Sequence, residues 1–129
     1  SIGFALPVSI GAAIAAPDRR VLALCGDGST MYSVQSLWTI AREKLDITVL
    51  VFANKAYSIL ISELSRATGK PPTERAGALL RLDNPAIDWQ GIASSVGIAS
   101  SLAISANDLE TALSSSFSTP GPHLIEIPT

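Results

Sequence analysis

The sequence predicts an α/β fold: a doubly wound, mostly parallel sheet with helices on both faces. Three observations lead there. The apolar runs Val21–Cys25 and Ile47–Ala53 have the length and residue types of buried strands. Between them, Val34, Leu37, Trp38 and Ala41 recur at helical spacing. Both runs then end on polar residues, Asp27 and Asn54, so a strand–helix–strand unit sends two polar loops from one edge of a sheet.

Each element has its own warrant. Residues 7–16 are small and apolar, and Gly11, Ala12, Ala13, Ala15 and Ala16 let a helix pack closely on a sheet. Val21–Cys25 is the first strand, with Gly26-Asp27-Gly28 turning at its C-terminal end. Residues 33–44 form the crossover helix, closing on Arg42 and Lys44, with Trp38 expected in the core. Ile47–Ala53 is β-branched and apolar and stops at Asn54. Residues 62–85 mix charges with Gly69, Pro71, Pro72 and Gly77, which reads as a short helical piece running into an exposed loop. Asp88 can cap a helix that carries Trp89 into the core, runs through Val96 and stops at Gly97. Asn107 with Glu110 forms a candidate capping box for a helix reaching about Phe117. Pro120-Gly121-Pro122 then breaks the chain before a last strand, Leu124–Ile127.

Composition narrows the function classes. A chain of 129 residues with 47% hydrophobic content can bury one sizeable core. Nine basic residues and a net charge of −2 give no electrostatic footprint for nucleic acid. No apolar run approaches the roughly 18–20 residues that span a membrane. The single Cys25 excludes an internal disulfide framework and fits a reducing, cytoplasmic compartment, with Cys25 itself a buried residue at a strand end. His123, the only histidine, lies far in sequence from the polar loops and is expected to be structural.

The chemistry concentrates in Gly26-Asp27-Gly28-Ser29 and in Asn54. Glycines let a backbone turn sharply and approach an anion closely. The turn can offer N–H groups, the Ser29 hydroxyl and the start of the next helix to phosphate oxygens. Magnesium prefers hard oxygen ligands and shares substrate phosphates, which suits one carboxylate, Asp27, one amide oxygen, Asn54, and a backbone carbonyl just beyond, that of Ala56. No Gly-Lys-Ser or Gly-Lys-Thr follows the glycine turn, which disfavours a P-loop.

These residues resemble the diphosphate and metal motif of the thiamine diphosphate (ThDP) dependent enzymes. The flanking segments Ser1-Ile2-Gly3-Phe4-Ala5-Leu6-Pro7 and Gly26-Asp27-Gly28-Ser29-Thr30-Met31-Tyr32-Ser33 are most similar to the benzoylformate decarboxylase and acetolactate synthase-like branch. The resemblance continues through Asn54-Lys55-Ala56-Tyr57-Ser58-Ile59-Leu60 and Pro85-Ala86-Ile87-Asp88-Trp89 to His123-Leu124-Ile125-Glu126-Ile127. It implies that Asp27 and Asn54 ligate Mg2+ by their side chains and Ala56 by its carbonyl. It implies that Gly26, Gly28 and Ser29 hold the diphosphate and that Ile2 wedges beneath the bent cofactor. Tyr57, Ile59 and Leu60 would border the cofactor and substrate cavity, and a bulky Ile59 hints at a smaller substrate than an aryl-oxo acid. Where relatives commonly carry a second Asn before the ligand Asn, this chain has Ala53.

The implied function is that of the diphosphate-binding domain of a lyase or carboligase acting on a 2-oxo acid, assembled as a homodimer or homotetramer. The resemblance places the activating glutamate on the pyrimidine-binding domain of a partner subunit. No catalytic residue is therefore expected within residues 1–129, and the segment by itself is expected to be inert. The chain opens on Ser1 with no initiator methionine, so the expectation is a C-terminal segment without its pyrimidine-binding and middle domains and without the opening portion of its own domain. Two alternatives stand beside this reading: a non-catalytic ThDP-binding relative with an assembly or regulatory role, and an unrelated doubly wound domain binding another magnesium phosphate ester. The loop within residues 62–85 is open between an active-site cover and a plain connection. Met31 and Tyr32 are open between cavity lining and packing.

Overall fold

The computed structural model describes residues 2–129; Ser1, the first residue of the motif quoted above, lies outside them. The elements follow as α1 (Ala5–Ala15), β1 (Val21–Gly26), α2 (Asp27–Met31), α3 (Ser36–Arg42), β2 (Ile47–Ala53), α4 (Ser58–Thr68), α5 (Glu74–Leu79), α6 (Trp89–Ser95), β3 (Ala99–Leu102), α7 (Ala106–Ser118) and β4 (His123–Pro128). The four strands form one sheet in the order β1-β2-β4-β3, and every pairing is parallel. Parallel neighbours need crossovers, and the helices that make them cover the faces of the sheet.

On one face, Leu6 and Ala13 of α1, Leu37 and Ile40 of α3, and Trp89 and Ala93 of α6 pack against Cys25, Val49, Val51 and Leu124. On the other, α7 brings Ala112, Leu109 and Leu113 onto Leu50 and Ile125. The doubly wound α/β class is therefore the observed one. Strand β2 lies between these layers with six of its seven residues buried, which is why it reads as a continuous apolar run. Burying each of its large side chains contributes about 1.5–3 kcal/mol. Strand β1 alternates instead, with Ala23 and Cys25 inward and Leu22 and Leu24 at 45% and 60% exposure.

An arginine clamp ties the start of β1 to the end of α7. Arg20 Nε donates to both Asp46 carboxylate oxygens at 3.0 Å, and Nη2 donates to Thr119 O at 3.0 Å. Nη1 donates to Ser116 O, and the guanidinium lies 5.5 Å from the Phe117 ring centroid. Arg20 holds the Asp46 carboxyl below its usual range. Nearby, burial pushes the His123 imidazole down, with the Arg20 charge a further cause, while its Nε2 lies 3.0 Å from Ser101 Oγ. His123 thus has a structural setting at the opening of β4.

Several elements differ from the sequence reading. Helix α3 starts at Ser36 rather than Ser33, because the Ser33 hydroxyl is used on the Gly3 carbonyl at 2.6 Å. Trp38 is 55% exposed: the buried stripe of α3 runs through Ser36, Leu37 and Ile40, and Trp38 falls outside it under the Arg42 guanidinium, 5.3 Å from the ring. Trp89 is in the core as expected, at 1% exposure. The charged stretch after Asn54 is more helical than expected, since α4 begins at Ser58 and a second helix, α5, is capped by Thr73 Oγ1, which accepts from Ala76 N. The cap of α7 is Ser105, two residues before Asn107: its Oγ accepts from Asp108 N at 3.2 Å and donates to Asp108 Oδ2 at 2.8 Å. Strand β3 has no counterpart in the sequence reading, because Ala-Ser-Ser-Leu lacks an apolar run and joins the sheet through its backbone ladder with β4.

Candidate cofactor site

The site is built on the C-terminal edge of the sheet. Strands β1 and β2 run parallel in a register that sets Gly26 against Phe52, so the residues that follow, Asp27 and Asn54, leave the same edge. Asp27 opens α2 and is only 3% exposed. Its Oδ1 accepts from Gly28 N and its Oδ2 from Lys55 N, each at 2.7 Å. The carboxylate thus joins the turn after β1 to the turn after β2. The price of the second turn is local strain, since Lys55 adopts φ +58°, a left-handed conformation uncommon for a residue with a β-carbon.

Asn54 continues the arrangement. Its Oδ1 accepts from Ala56 N at 3.0 Å and its Nδ2 donates to Ser58 Oγ at 2.9 Å. Ala56 faces Arg81 in an antiparallel bridge, whose hydrogen bonds run from Tyr57 N to Leu80 O and from Leu82 N to Lys55 O. That ladder passes over the Ala56 carbonyl and leaves it out of the pairing. Helices α4 and α5 lie on the excursion of the chain that leaves and rejoins this bridge, and neither has a buried residue.

The turn after β1 is braced from the N-terminal side. Gly3 N donates to Ser29 Oγ at 3.0 Å, so Ile2, 48% exposed, sits one residue from that bond. Gly3 has φ +77°, and a Cβ there would lie 2.4 Å from Tyr32 Cβ, so the close pass over α2 requires glycine. At Gly28 a Cβ would lie 2.7 Å from ring carbons of Tyr57, which therefore packs directly on the glycine turn. The Tyr57 ring meets Tyr32 edge-on, with centroids 6.3 Å apart.

The sequence-predicted residues are thus brought together unevenly. Gly26, Asp27, Gly28, Ser29, Asn54, Ala56 and Tyr57 gather at one edge, and Ile2 approaches through Gly3. Ile59, at 63% exposure, and Leu60, at 42%, lie open on the first turn of α4. Helix α2 has five residues, so its macrodipole is short, and the Gly28 N–H of the turn is already taken by Asp27 Oδ1. The Arg81 guanidinium holds the Asp83 carboxyl below its usual range, whereas burial, followed by the Asp88 charge, raises Glu126. Sequence reasoning missed the Lys55 N–H and the Ser58 hydroxyl as partners of Asp27 and Asn54. The only available signal for Ser58 was its place four residues after Asn54.

The donor set fits a hard divalent cation. Both Asp27 oxygens and Asn54 Oδ1 spend one acceptor position on a backbone N–H and keep another. The candidate set has a single carboxylate, Asp27, and among the described residues no group of three or more His, Cys, Asp or Glu side chains could hold a metal.

A buried carboxylate, an amide and a glycine turn on the C-terminal edge of a parallel sheet define an α/β domain that binds a phosphate-bearing ligand. A family profile described as thiamine pyrophosphate enzyme, C-terminal TPP binding domain, matches residues 1–127. The chain belongs to that family, and its cofactor is thiamine diphosphate. It is 42% identical over 128 residues to a Mycobacterium tuberculosis protein provisionally named acetolactate synthase large subunit IlvX, covering 98% of this chain and 25% of that protein. It is 32% identical over 133 residues to benzoylformate decarboxylase of Pseudomonas aeruginosa, covering 99% of this chain and 23% of the relative. In structure it is similar to a Rhodococcus jostii RHA1 thiamine diphosphate-dependent 4-hydroxybenzoylformate decarboxylase, with a TM-score of 0.86 and 33% identity over 99% of this chain and 23% of the other. The chain spans about a quarter of the length of the curated relatives it matches. No described helix is long and apolar enough to cross a membrane.

Proposed function

We propose that this chain holds the magnesium-bound diphosphate of ThDP in a larger lyase or carboligase that acts on a 2-oxo acid. The observation that carries the reading is the Asp27–Lys55 bond, which locks the two ligand turns side by side. Asp27, Asn54 and the Ala56 carbonyl would hold Mg2+. The glycine turn at Gly26 and Gly28, where the backbone carries no β-carbon, with the Ser29 hydroxyl, would hold the diphosphate. Ile2 would support the cofactor from below, and Tyr57 and Ile59 would line its surroundings. The chemistry that ThDP supplies when bound is nucleophilic attack on the 2-oxo acid and an electron sink for decarboxylation. In this reading the chain's own contribution is to bind and orient.

The same reading makes residues 1–129 the diphosphate-binding domain of a longer subunit, lacking its opening portion and working as a dimer or tetramer. Its support is the bare apolar surface: Leu22 and Leu24 on β1, and Val8 and Ile14 on a helix that is apolar all round, as helices enclosed in larger proteins are. Relatives named for acetolactate synthesis and for benzoylformate and α-keto acid decarboxylation favour a 2-oxo acid as substrate class.

Calorimetric titration tests the reading. ThDP is expected to bind only with Mg2+ present, and the chain alone to turn over no 2-oxo acid. Binding that is indifferent to Mg2+, or equal for ThDP and ADP, would sink it.

A further inference from the structure

We infer that Ser58 is a positioning residue for the metal ligand Asn54, an inference that rests on the Mg2+–ThDP reading above. The Asn54 amide is held at both ends. Its Oδ1 accepts from Ala56 N at 3.0 Å, and its Nδ2 donates to Ser58 Oγ at 2.9 Å. A side-chain amide has two faces of nearly equal size, one an acceptor and the other a donor, so its usefulness to a cation depends on which end points where. The Ala56 N–H draws the oxygen toward the turn. The Ser58 oxygen draws the nitrogen the other way and stops the amide from rotating about its terminal torsion. Both anchors lie on the backbone that carries the Ala56 carbonyl into α4, so amide and carbonyl are set as one unit.

The position also suits the task. Ser58 is the first residue of α4, and the antiparallel bridge between Ala56 and Arg81 fixes the chain just before it. Its hydroxyl is exposed and has no other hydrogen-bond partner among the described residues, so orienting Asn54 is the one contact it makes. Outer partners that orient a metal ligand typically matter by about 10–100-fold in metal affinity.

The test uses the whole chain with Mg2+ and ThDP as probes and follows the Asn54 side-chain NH2 resonances by NMR alongside calorimetry. Ser58→Ala is expected to raise the Mg2+ midpoint about tenfold, the lower end of that range. It should also shift the Asn54 NH2 pair before any metal is added and leave thermal stability unchanged, since Ser58 follows the cap residue Tyr57 and alanine has the highest intrinsic helix propensity. Ser58→Thr, which keeps the hydroxyl, is expected to restore the wild-type midpoint. Equal midpoints for the wild-type and Ser58→Ala chains would overturn the role of Ser58 alone. If the unsubstituted chain shows no Mg2+-dependent binding of ThDP, the metal reading falls, and this inference with it.

Discussion

The Asp27 carboxylate accepts the Lys55 backbone N–H at 2.7 Å, across the gap between two neighbouring parallel strands. One buried side chain therefore sets the distance between the halves of the candidate cofactor site, and it does so from protein contacts alone.

Asp27→Ala should then damage two properties at once. Leaving the Gly28 and Lys55 N–H groups without their acceptor costs about 1–3 kcal/mol of stability. Mg2+-dependent ThDP binding should disappear. Urea unfolding measures the first and calorimetry the second; a variant of wild-type stability would show that the Asp27–Lys55 bond contributes nothing.

Gly28→Ala is expected to destabilise by about 1–3 kcal/mol, because its new methyl group meets the Tyr57 ring and the neighbourhood must shift. Removing that ring in Gly28→Ala/Tyr57→Ala should recover most of what Gly28→Ala costs relative to Tyr57→Ala alone. A double-mutant cycle by chemical denaturation checks this. Additive effects would mean that the two side chains do not compete for the space.

Acid stability should fall in two stages. His123 has a folded-state pKa below its ordinary value, so its contribution is full above about pH 6.5 and is lost as pH falls toward the lower folded value. Asp46 has a depressed carboxyl, so its contribution is full above about pH 4 and is lost as pH falls through the folded value. The Asp46 effect is reduced by solvent screening at a side chain 34% exposed. Melting temperatures across pH 2–8 should show the upper stage flattened in His123→Gln and the lower in Asp46→Asn. An unchanged profile in either variant would remove that group from the account.

The two tryptophans should respond in opposite ways. Trp89→Ala empties the core and should cost about 3–5 kcal/mol, whereas Trp38→Ala removes a surface stack on Arg42 and should cost under about 1 kcal/mol. Acrylamide should quench Trp38 in the Trp89→Phe chain more strongly than Trp89 in the Trp38→Phe chain. Equal quenching would contradict the assigned burial.

Much of this molecule was legible where apolar pattern and structure share a cause. Strand β2 spans the residues read for it because both its faces are covered, and Asp27 and Asn54 could be placed on one edge because parallel strands end together. Legibility failed where a tertiary partner decides. Nothing local tells Trp38 that the α3 stripe has turned away from it. Ser33 leaves its helix for the distant Gly3 carbonyl. Ser105 outcompetes Asn107 as a cap through Asp108, a nearby signal that the Asn107–Glu110 spacing masked. β3 is recruited by the backbone of β4 rather than by its own side chains. At the site, the motif residues were readable as donors, but their Lys55 and Ser58 partners act through a backbone N–H and a common hydroxyl, which carry no distinctive pattern.

The segment of α4 and α5 leaves the body of the protein at Tyr57 and returns at Leu80, and its two ends are stitched together beside the Ala56–Arg81 bridge. Beyond the first turn of α4, which carries Ser58 and Ile59, the remaining 19 residues before Leu80, 61–79, can be regarded as a cassette: a stretch exchangeable for one of another length or chemistry without resetting the sheet beneath it. Replacing it with a short glycine-rich linker should leave the far-ultraviolet signature of the remaining helices and strands in place, and collapse of the fold on that exchange would refute the idea. A plug-in element rooted beside the Asp27 and Asn54 turns would then be free to vary in length while the Asp27–Lys55 bond keeps those turns in place.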